Sequence, residues 1–333
     1  MAAALVTGTA ACADDDAAGE GTAVEGTSEG NANEDAQALE PAITVDPGQP
    51  PVVDLLDAGE GDRRILAYAP SREPAVVEVT RSGTAQTSVP EAEPQLDETP
   101  EQTLTVAGES EPGVEGAQRA IVTVEDFTSV DELRDAQFST APGFTVTWVR
   151  SADGVVRQLS LEAPAEATDA ARAGVEITAN AVSEATVVFP DEPIGVGAQW
   201  TVTRELDDAV APVRVVTYEL VDLTGDVATV RMESSAPEVS DTLTAPSADG
   251  GPGVALDVET YDVTGSGELT VDLRAALPVD GMTESSTRAV YVDPNSGRRT
   301  TYDEDSVLQF RSVSENADDD GDAGNAGDAD SGE

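Results

Sequence analysis

Carboxylates are the only side chains of this chain that offer general acid–base chemistry near neutral pH. The 333 residues include 66 Asp and Glu and no His, and all 17 basic residues are Arg. Three close carboxylate pairs are candidate catalytic residues: Asp191 with Glu192, Asp207 with Asp208, and Asp303 with Asp305. A catalytic pair needs burial and a raised pKa, whereas so acidic a composition places carboxylates side by side without any selection for catalysis. We therefore interpret all three pairs as solvated acidic surface.

The missing residue types exclude several other kinds of site. Without His there is no Ser-His or Cys-His nucleophile pair and no imidazole metal site. With one Cys there is no internal disulfide and no thiolate cluster. An EF-hand loop beginning at Asp318 would need Gly at its sixth position and Glu at its twelfth, where Ala323 and Ala329 stand. We predict no catalytic residue, no bound metal and no cofactor.

The single Cys, Cys12, directly follows the small residues Ala10 and Ala11 and precedes an acidic stretch. This arrangement is typical of a bacterial lipoprotein signal peptide, which is cleaved before a Cys that carries the lipid. The sequence thus predicts a signal peptide remnant at residues 1–11, a lipid anchor on Cys12, and an extracytoplasmic protein held at the cell membrane. The alternative is a cytosolic protein with an Ala-rich start and an inert Cys.

Acidic residues are concentrated at both ends of the chain. The formal net charge is −49, and residues 1–62 and 312–333 contain no basic residue at all. Such segments bury too little apolar surface to offset their chain entropy, so we predict disorder in an acidic linker at 12–62 and an acidic tail at 312–333. The charge argues against nucleic acid as a partner. The Lys-free composition is actinobacterial-like and indicates GC-rich codons, with salt adaptation as the other explanation.

The middle of the chain shows the two-residue periodicity of half-buried antiparallel strands. Val216, Tyr218 and Leu220 share one face of a strand, and Arg214 falls on that face at its start. Turn residues rich in Gly, Asn and Asp at 152–154, 223–226 and 293–297 predict three hairpins. The core is therefore expected to be mainly β.

One segment has a helical period instead. Its apolar and small residues recur at steps of three and four: Ala171, Gly174, Val175, Thr178, Val182 and Ala185. We predict a single amphipathic helix at 166–186 with Thr168 as its N-cap. The helix separates a first β-rich half at 63–165 from a second at 187–311. Within the first half, the Pro-rich and Arg-free stretch 82–118 is predicted to be a mobile loop, and 235–253 is a second predicted loop.

Residues 189–200 read Phe-Pro-Asp-Glu-Pro-Ile-Gly-Val-Gly-Ala-Gln-Trp. This segment resembles an uncharacterised family of bacterial secreted proteins and lipoproteins, in which a Pro-rich stretch leads into a Val-Gly-x-x-Trp strand. The resemblance covers roughly residues 187–311 and implies a β-rich envelope domain without an assigned activity. From the residues alone, Gly195 and Gly197 allow close backbone packing or a bulge, and Trp200 is expected to anchor the core.

Together these observations predict an all-β, mainly antiparallel fold with one amphipathic helix, built as a curved sheet or incomplete barrel, or alternatively as a two-sheet sandwich. The expected function is that of a noncatalytic envelope lipoprotein whose partners are the membrane and an apolar or lipid-like ligand. The alternative is a carboxylate-dependent hydrolase acting on envelope glycans. That alternative requires two inward-facing carboxylates in a cleft, about 5–10 Å apart.

Overall fold

The computed structural model of the chain describes residues 43–45, 48–206, 208–245 and 253–313. Cys12, the acidic segment Asp318–Asp322, Asp207 and most of the predicted linker and tail lie outside the described residues. The predictions that fall on them stay predictions.

Within the described residues the chain forms sixteen strands and two α-helices, with a short 3-10 turn at Val114–Gly116. The strands are β1 Ile43–Val45, β2 Val52–Asp57, β3 Glu60–Arg64, β4 Ala75–Ser88, β5 Gln95–Pro112, β6 Gln118–Ser129, β7 Thr145–Arg150, β8 Val156–Glu162, β9 Ile194–Val196, β10 Gln199–Glu205, β11 Val213–Thr224, β12 Val227–Glu238, β13 Thr242–Ala245, β14 Val254–Asp272, β15 Asp280–Val292 and β16 Arg299–Ser312. The helices are α1 Glu132–Phe138 and α2 Asp169–Ala185.

Fourteen of these strands form one antiparallel sheet. Its order is β1-β8-β7-β6-β5-β4-β16-β15-β14-β12-β11-β10-β2, with β13 attached to β14, while β3 and β9 form a separate small ladder. The fold prediction of a mainly antiparallel, curved and open sheet is confirmed, and the two-sheet sandwich is not the arrangement adopted. All three predicted hairpin turns connect neighbouring strands: β7 to β8, β11 to β12, and β15 to β16.

The sheet must be strongly curled because β1 and β2 lie on its two opposite edges yet are close in sequence. The seven residue steps from Val45 to Val52 span at most about 25 Å. A flat sheet with the same strand order would separate those edges by about 58 Å, at about 4.8 Å per strand. The sheet is therefore an incomplete barrel whose first two strands connect its edges.

The core lies on the concave face of the sheet. One register row crosses seven strands with side chains that point inward, and six of its seven members are buried apolar residues: Leu220, Val230, Leu269, Phe310, Val79 and Leu104, with Gly281 between Leu269 and Phe310. The alternate residues of the same strands face solvent and include cross-strand ion pairs such as Arg231 with Glu219 and Glu268. This alternation is the reason the sequence reads with a period of two.

Helix α2 covers part of this concave face. Thr168 is its N-cap, as predicted, and its Oγ1 accepts a hydrogen bond from the Ala171 backbone N–H at 3.2 Å. The predicted apolar face is buried in full, together with Ala179. Gly174 is required by packing, since a Cβ there would lie 2.6 Å from Cε1 of the Phe127 ring.

Two predicted irregular regions are wrong, because the structure places strands in them. The predicted mobile loop 82–118 contains the end of β4 and all of β5, whose Leu104 and Val106 are buried while its acids face solvent. The prolines and carboxylates of this stretch make the alternation of buried and exposed positions hard to recognise in the sequence. The predicted linker 12–62 contains β1, β2 and part of β3, and β2 pairs with β10 because Val53 and Leu55 pack on the core.

The two β-rich halves on either side of α2 share one sheet, and the second predicted loop needs correction. Strand β4 of the first half pairs with β16 of the second over twelve residue pairs, so both halves belong to one continuous sheet. The predicted loop at 235–253 contains the end of β12 and the whole of β13. Helix α1, which was not predicted, is a short element that begins after Asp131, whose side chain caps it.

Candidate functional site

The interface between α2 and the concave face of the sheet contains a small apolar cavity. It lies among side chains of β4 to β7, of α2 and of Leu277, and all of its lining residues except Thr178 are apolar. The volume open to the centre of a water molecule is ≈ 10 Å³, which corresponds to about one such sphere. The interface is therefore closely packed, with its residual space lined by Val, Leu, Ala and Trp side chains.

Helix α2 forms a single layer over this interface. Its outer face is in solvent, where Ile177, Asn180 and Glu184 are exposed. Polar contacts fasten its carboxyl-terminal end: Trp148 Nε1 donates to Ser183 Oγ at 2.6 Å, and Arg214 Nη1 lies 3.2 Å from Glu184 Oε2. Among the described residues, no second layer covers the outer face of α2, so the helix alone separates the apolar concave face from solvent there.

A second register row, which we call the rim row, lies two residues further along each strand. It consists of Trp200, Tyr218, Met232, Gly267, Thr283, Leu308, Arg81 and Gln102. Beyond the rim row the apolar core continues on β10 and β11, where Val202 and Val216 are buried. On β12, β14, β15 and β16 the inward-facing side chains of that next row are smaller or more polar: Ser234, Gly265, Ser285 and Ser306. The concave face thus changes from apolar to polar along its strands.

Tyr218 in the rim row carries a buried polar atom without a partner. Its ring stacks on that of Trp200, with centroids 5.4 Å apart and planes inclined by 18°, and the residue is 1% exposed. Its Oη makes no hydrogen bond to any described residue. Burial raises the pKa of the hydroxyl, while the charge of Arg204 lowers it. Trp200 is satisfied, because its Nε1 donates to Val188 O at 2.7 Å.

Two arginines stand beside each other on the same face, beyond Tyr218. Arg204 of β10 and Arg214 of β11 are register partners, and both have the strand parity of the core residues Trp200 and Tyr218. Arg214 is paired with Glu184 of α2, whereas Arg204 makes no ion pair within the described part of the chain. This is a local concentration of positive charge in a strongly acidic protein.

The far end of the concave face carries a group of three tyrosines. Tyr261, Tyr291 and Tyr302 influence one another electrostatically, and Tyr302 Oη donates to Glu304 Oε2 at 2.9 Å. Partial burial raises the pKa of all three, that of Tyr291 to about 12. The loop between β10 and β11 lies close to them, since Asp208 also raises the pKa of Tyr261 and Tyr291.

The two predicted carboxylate pairs that the structure describes in full do not form a buried site, and of the third pair only Asp208 is among the described residues. Asp191 and Glu192 are exposed, Asp303 and Asp305 both face Arg288 at 3.4 and 3.6 Å, and Asp208 accepts hydrogen bonds from the Val210 and Ala211 backbone. No Asp or Glu among the described residues is buried. The cleft with two inward carboxylates that a glycan hydrolase requires is not found in this part of the chain.

A polar groove of ≈ 570 Å³ crosses β12, β14, β15 and β16, centred on the row of Ser234, Gly265, Ser285 and Ser306. Its remaining lining includes Glu233 and Glu284. Its hydroxyls and carboxylates lie at an open surface, and none of them is a buried polar atom without a partner. The concave face beneath α2 is therefore the better candidate site.

Sequence reasoning found part of this site. It placed Tyr218 and Arg214 on the face of Val216 and Trp200 in the core, and the structure agrees. It missed Arg204, although the alternation of Trp200, Val202 and Arg204 carries the signal. The sequence could not show that Tyr218 Oη lacks a hydrogen-bond partner among the described residues, because this depends on long-range packing.

Comparison with known proteins adds no relative: no protein-family model and no curated protein matches the chain. Among the described residues, no helix combines the length and hydrophobicity that a transmembrane segment requires.

Proposed function

We propose that this protein is a noncatalytic lipoprotein of the cell envelope that takes up an apolar chain between helix α2 and the concave face of its sheet. The observation that carries the proposal is the cavity at that interface, which is lined by apolar side chains apart from Thr178. Apolar cavities in proteins stay dry and accept apolar ligands.

Uptake of a chain requires α2 to move outward, because the cavity of ≈ 10 Å³ holds no more than about one water. Two features favour such a movement. The helix presents small residues such as Ala171, Gly174 and Ala179 to the sheet, so its displacement exposes less apolar surface than a Leu-rich helix would. Its outer face is also left uncovered by the rest of the described structure, and Ile177 there is 37% exposed.

A pair of neighbouring substitutions tests chain binding. Ala179→Leu fills the cavity, and Asn180→Leu adds the same side chain to the exposed face of the same helix. We expect Ala179→Leu to weaken the binding of decanol, measured by native mass spectrometry or displacement of a fluorescent fatty alcohol, by about tenfold or more. Asn180→Leu should bind as the wild type does. If the wild-type protein binds no fatty alcohol of any chain length, the proposal is wrong.

The anchor is tested separately on the full-length protein purified from its own membranes. Intact mass should show diacylglycerol on Cys12 as the first residue, and Cys12→Ser should move the protein to the soluble fraction. Recovery of an unacylated wild-type chain that begins at Met1 would contradict the anchor without affecting the test of chain binding.

A further inference from the structure

We propose that Arg204, Arg214 and Tyr218 bind the anionic head of a single-chain amphiphile, and that this head frees α2 by replacing Glu184 as the partner of Arg214. The inference rests on the proposed function, because it identifies the class of chain that enters beneath α2. The shared chemistry is an anionic oxygen group, a carboxylate or a phosphate, at the end of an apolar chain.

The position of the three residues matches an amphiphile. They lie on the concave face near the end of the apolar core. Tyr218 is in the rim row, the buried Val202 and Val216 come next, and the arginines stand four residues from Trp200 and Tyr218 along β10 and β11. A chain lying beneath α2 would leave its head at this boundary. The carboxyl-terminal end of α2 reaches the same place, as the contact of Glu184 with Arg214 shows.

The Tyr218 hydroxyl supplies the second observation. It is buried at 1% exposure and lacks a hydrogen-bond partner among the described residues, although buried hydroxyls are almost always satisfied. The phenol O–H of Tyr218 and the guanidinium N–H groups of the two arginines are donors on the same face, and an anionic oxygen group accepts hydrogen bonds from both kinds of donor.

Local charge selects an anion despite the acidity of the whole chain. The net charge of −49 repels anions at long range, but at physiological salt this field is screened beyond about 8 Å. Arg204 forms no ion pair in direct contact with a carboxylate of the described residues, and Arg214 is paired there with Glu184. Among these residues an anionic head therefore meets one guanidinium without a carboxylate partner and a second that is held by Glu184.

The exchange at Arg214 links head binding to movement of the helix. The ion pair of Arg214 with Glu184 is partly exposed, with side chains 24% and 47% accessible, so it biases the position of α2 only up to about fivefold. A head group that takes over Arg214 removes this bias and leaves the Trp148–Ser183 hydrogen bond as the remaining polar contact at that end. No covalent step is involved.

Binding of decyl phosphate, decanoate, decanol and inorganic phosphate to the folded protein tests the proposal. We expect decyl phosphate, decanoate or both to bind at least tenfold more tightly than decanol, and inorganic phosphate alone to bind weakly. Tighter binding of decyl phosphate would indicate a phospholipid-like source of the ligand, and tighter binding of decanoate would indicate a free fatty acid. Equal affinity for all three ten-carbon ligands would overturn the head-group site while leaving chain binding intact, whereas no binding of decanol or of any other fatty alcohol would overturn the proposed function.

Variants assign the effect to residues. Arg204→Gln should lower the preference for the anionic head about tenfold, and Arg298→Gln, which removes the same charge at an exposed turn, should not. Tyr218→Phe should weaken binding of the anionic ligand while leaving thermal stability equal or higher, because it removes an unsatisfied buried hydroxyl. Glu184→Gln should strengthen binding by up to about fivefold. Unchanged head preference in both Arg204→Gln and Tyr218→Phe would refute the assignment.

Discussion

The guanidinium carbon of Arg150 lies 3.9 Å from the centre of the Tyr68 ring. Arg150 is 3% exposed, and its hydrogen bonds go to neutral groups: Nε donates to Gln118 Oε1 at 2.6 Å and Nη2 to Ala275 O at 2.8 Å. Burial lowers the pKa of Arg150, and Tyr68 partly offsets this. The Arg150 side chain thereby connects β7 to β6 and to the turn that follows β14.

Arg150→Met should destabilise the protein by about 2–4 kcal/mol, because it leaves Gln118 Oε1 and Ala275 O buried without a donor. Urea unfolding followed by Trp fluorescence measures the loss. The matched control is Arg157→Met on the exposed face of β8, which should stay within about 0.5 kcal/mol of the wild type. Similar midpoints for both variants would show that the buried network contributes little.

Gly174→Ala should lower the free energy of unfolding by about 1–3 kcal/mol, although Ala favours helices over Gly by about 1 kcal/mol. The reason is the stacked pair of rings beneath it, because a Cβ would lie 2.6 Å from Cε1 of Phe127 and 3.3 Å from Cε1 of Phe138. Asn180→Ala at the exposed face should instead stabilise the helix by a few tenths of a kcal/mol. A more stable Gly174→Ala variant would mean that the ring gives way at little cost.

Thr168→Ala should destabilise the protein by about 1 kcal/mol through loss of the α2 cap. The hydroxyl also donates to Gln137 O at 2.9 Å, which ties α2 to the end of α1. Thr168→Ser keeps both bonds and should recover most of the stability in thermal unfolding. If Ser behaves like Ala, the methyl group of Thr168 matters more than its hydroxyl.

Stability should fall steeply as the pH rises above about 10. All five tyrosines have raised pKa values, and burial is the largest cause at each. Because the folded protein holds these protons more tightly than the unfolded chain, their contribution is complete below pH 10 and is lost as the pH passes the folded values. For buried Tyr68, with a pKa of about 12, the loss at full ionisation is roughly 2–3 kcal/mol.

Absorbance of tyrosinate near 295 nm, recorded with circular dichroism between pH 9 and 13, checks this prediction. Ionisation of Tyr68 and Tyr218 should coincide with unfolding. The variant Tyr68→Phe lacks one of the buried phenols whose ionisation drives unfolding. Its alkaline unfolding transition should therefore move to higher pH. Full ionisation of all five tyrosines near pH 10 in a folded protein would contradict it.

The sequence predicts the elements whose pattern is local. The alternation of Val216, Tyr218 and Leu220 and the three- and four-residue spacing in α2 each reflect one buried face, and the Gly- and Asn-containing turns reflect local backbone requirements. These features do not depend on the rest of the chain, and they were found within a few residues of their observed limits.

Features set by distant partners were not predictable in the same way. Strand β5 contains two prolines and several exposed carboxylates, so its buried Leu104 and Val106 are recognised only once β4 and β6 flank them. Strand β2 is ordered by pairing with β10, and the register partners Val53 and Val202 are 149 residues apart, so no short window of sequence reveals this pairing. The unpartnered hydroxyl of Tyr218 is likewise a property of the packed interior.

The connection of both sheet edges by β1 and β2 has a mechanical consequence. β1 holds to β8 by three residue pairs, and β2 holds to β10 by five. A force applied through the amino terminus reaches β1 first and peels it one pair at a time, which needs less force than shearing a long ladder. The opening of the incomplete barrel would then widen between its two edges. The pairing of β5, β4, β16, β15 and β14 in the middle of the sheet would remain intact.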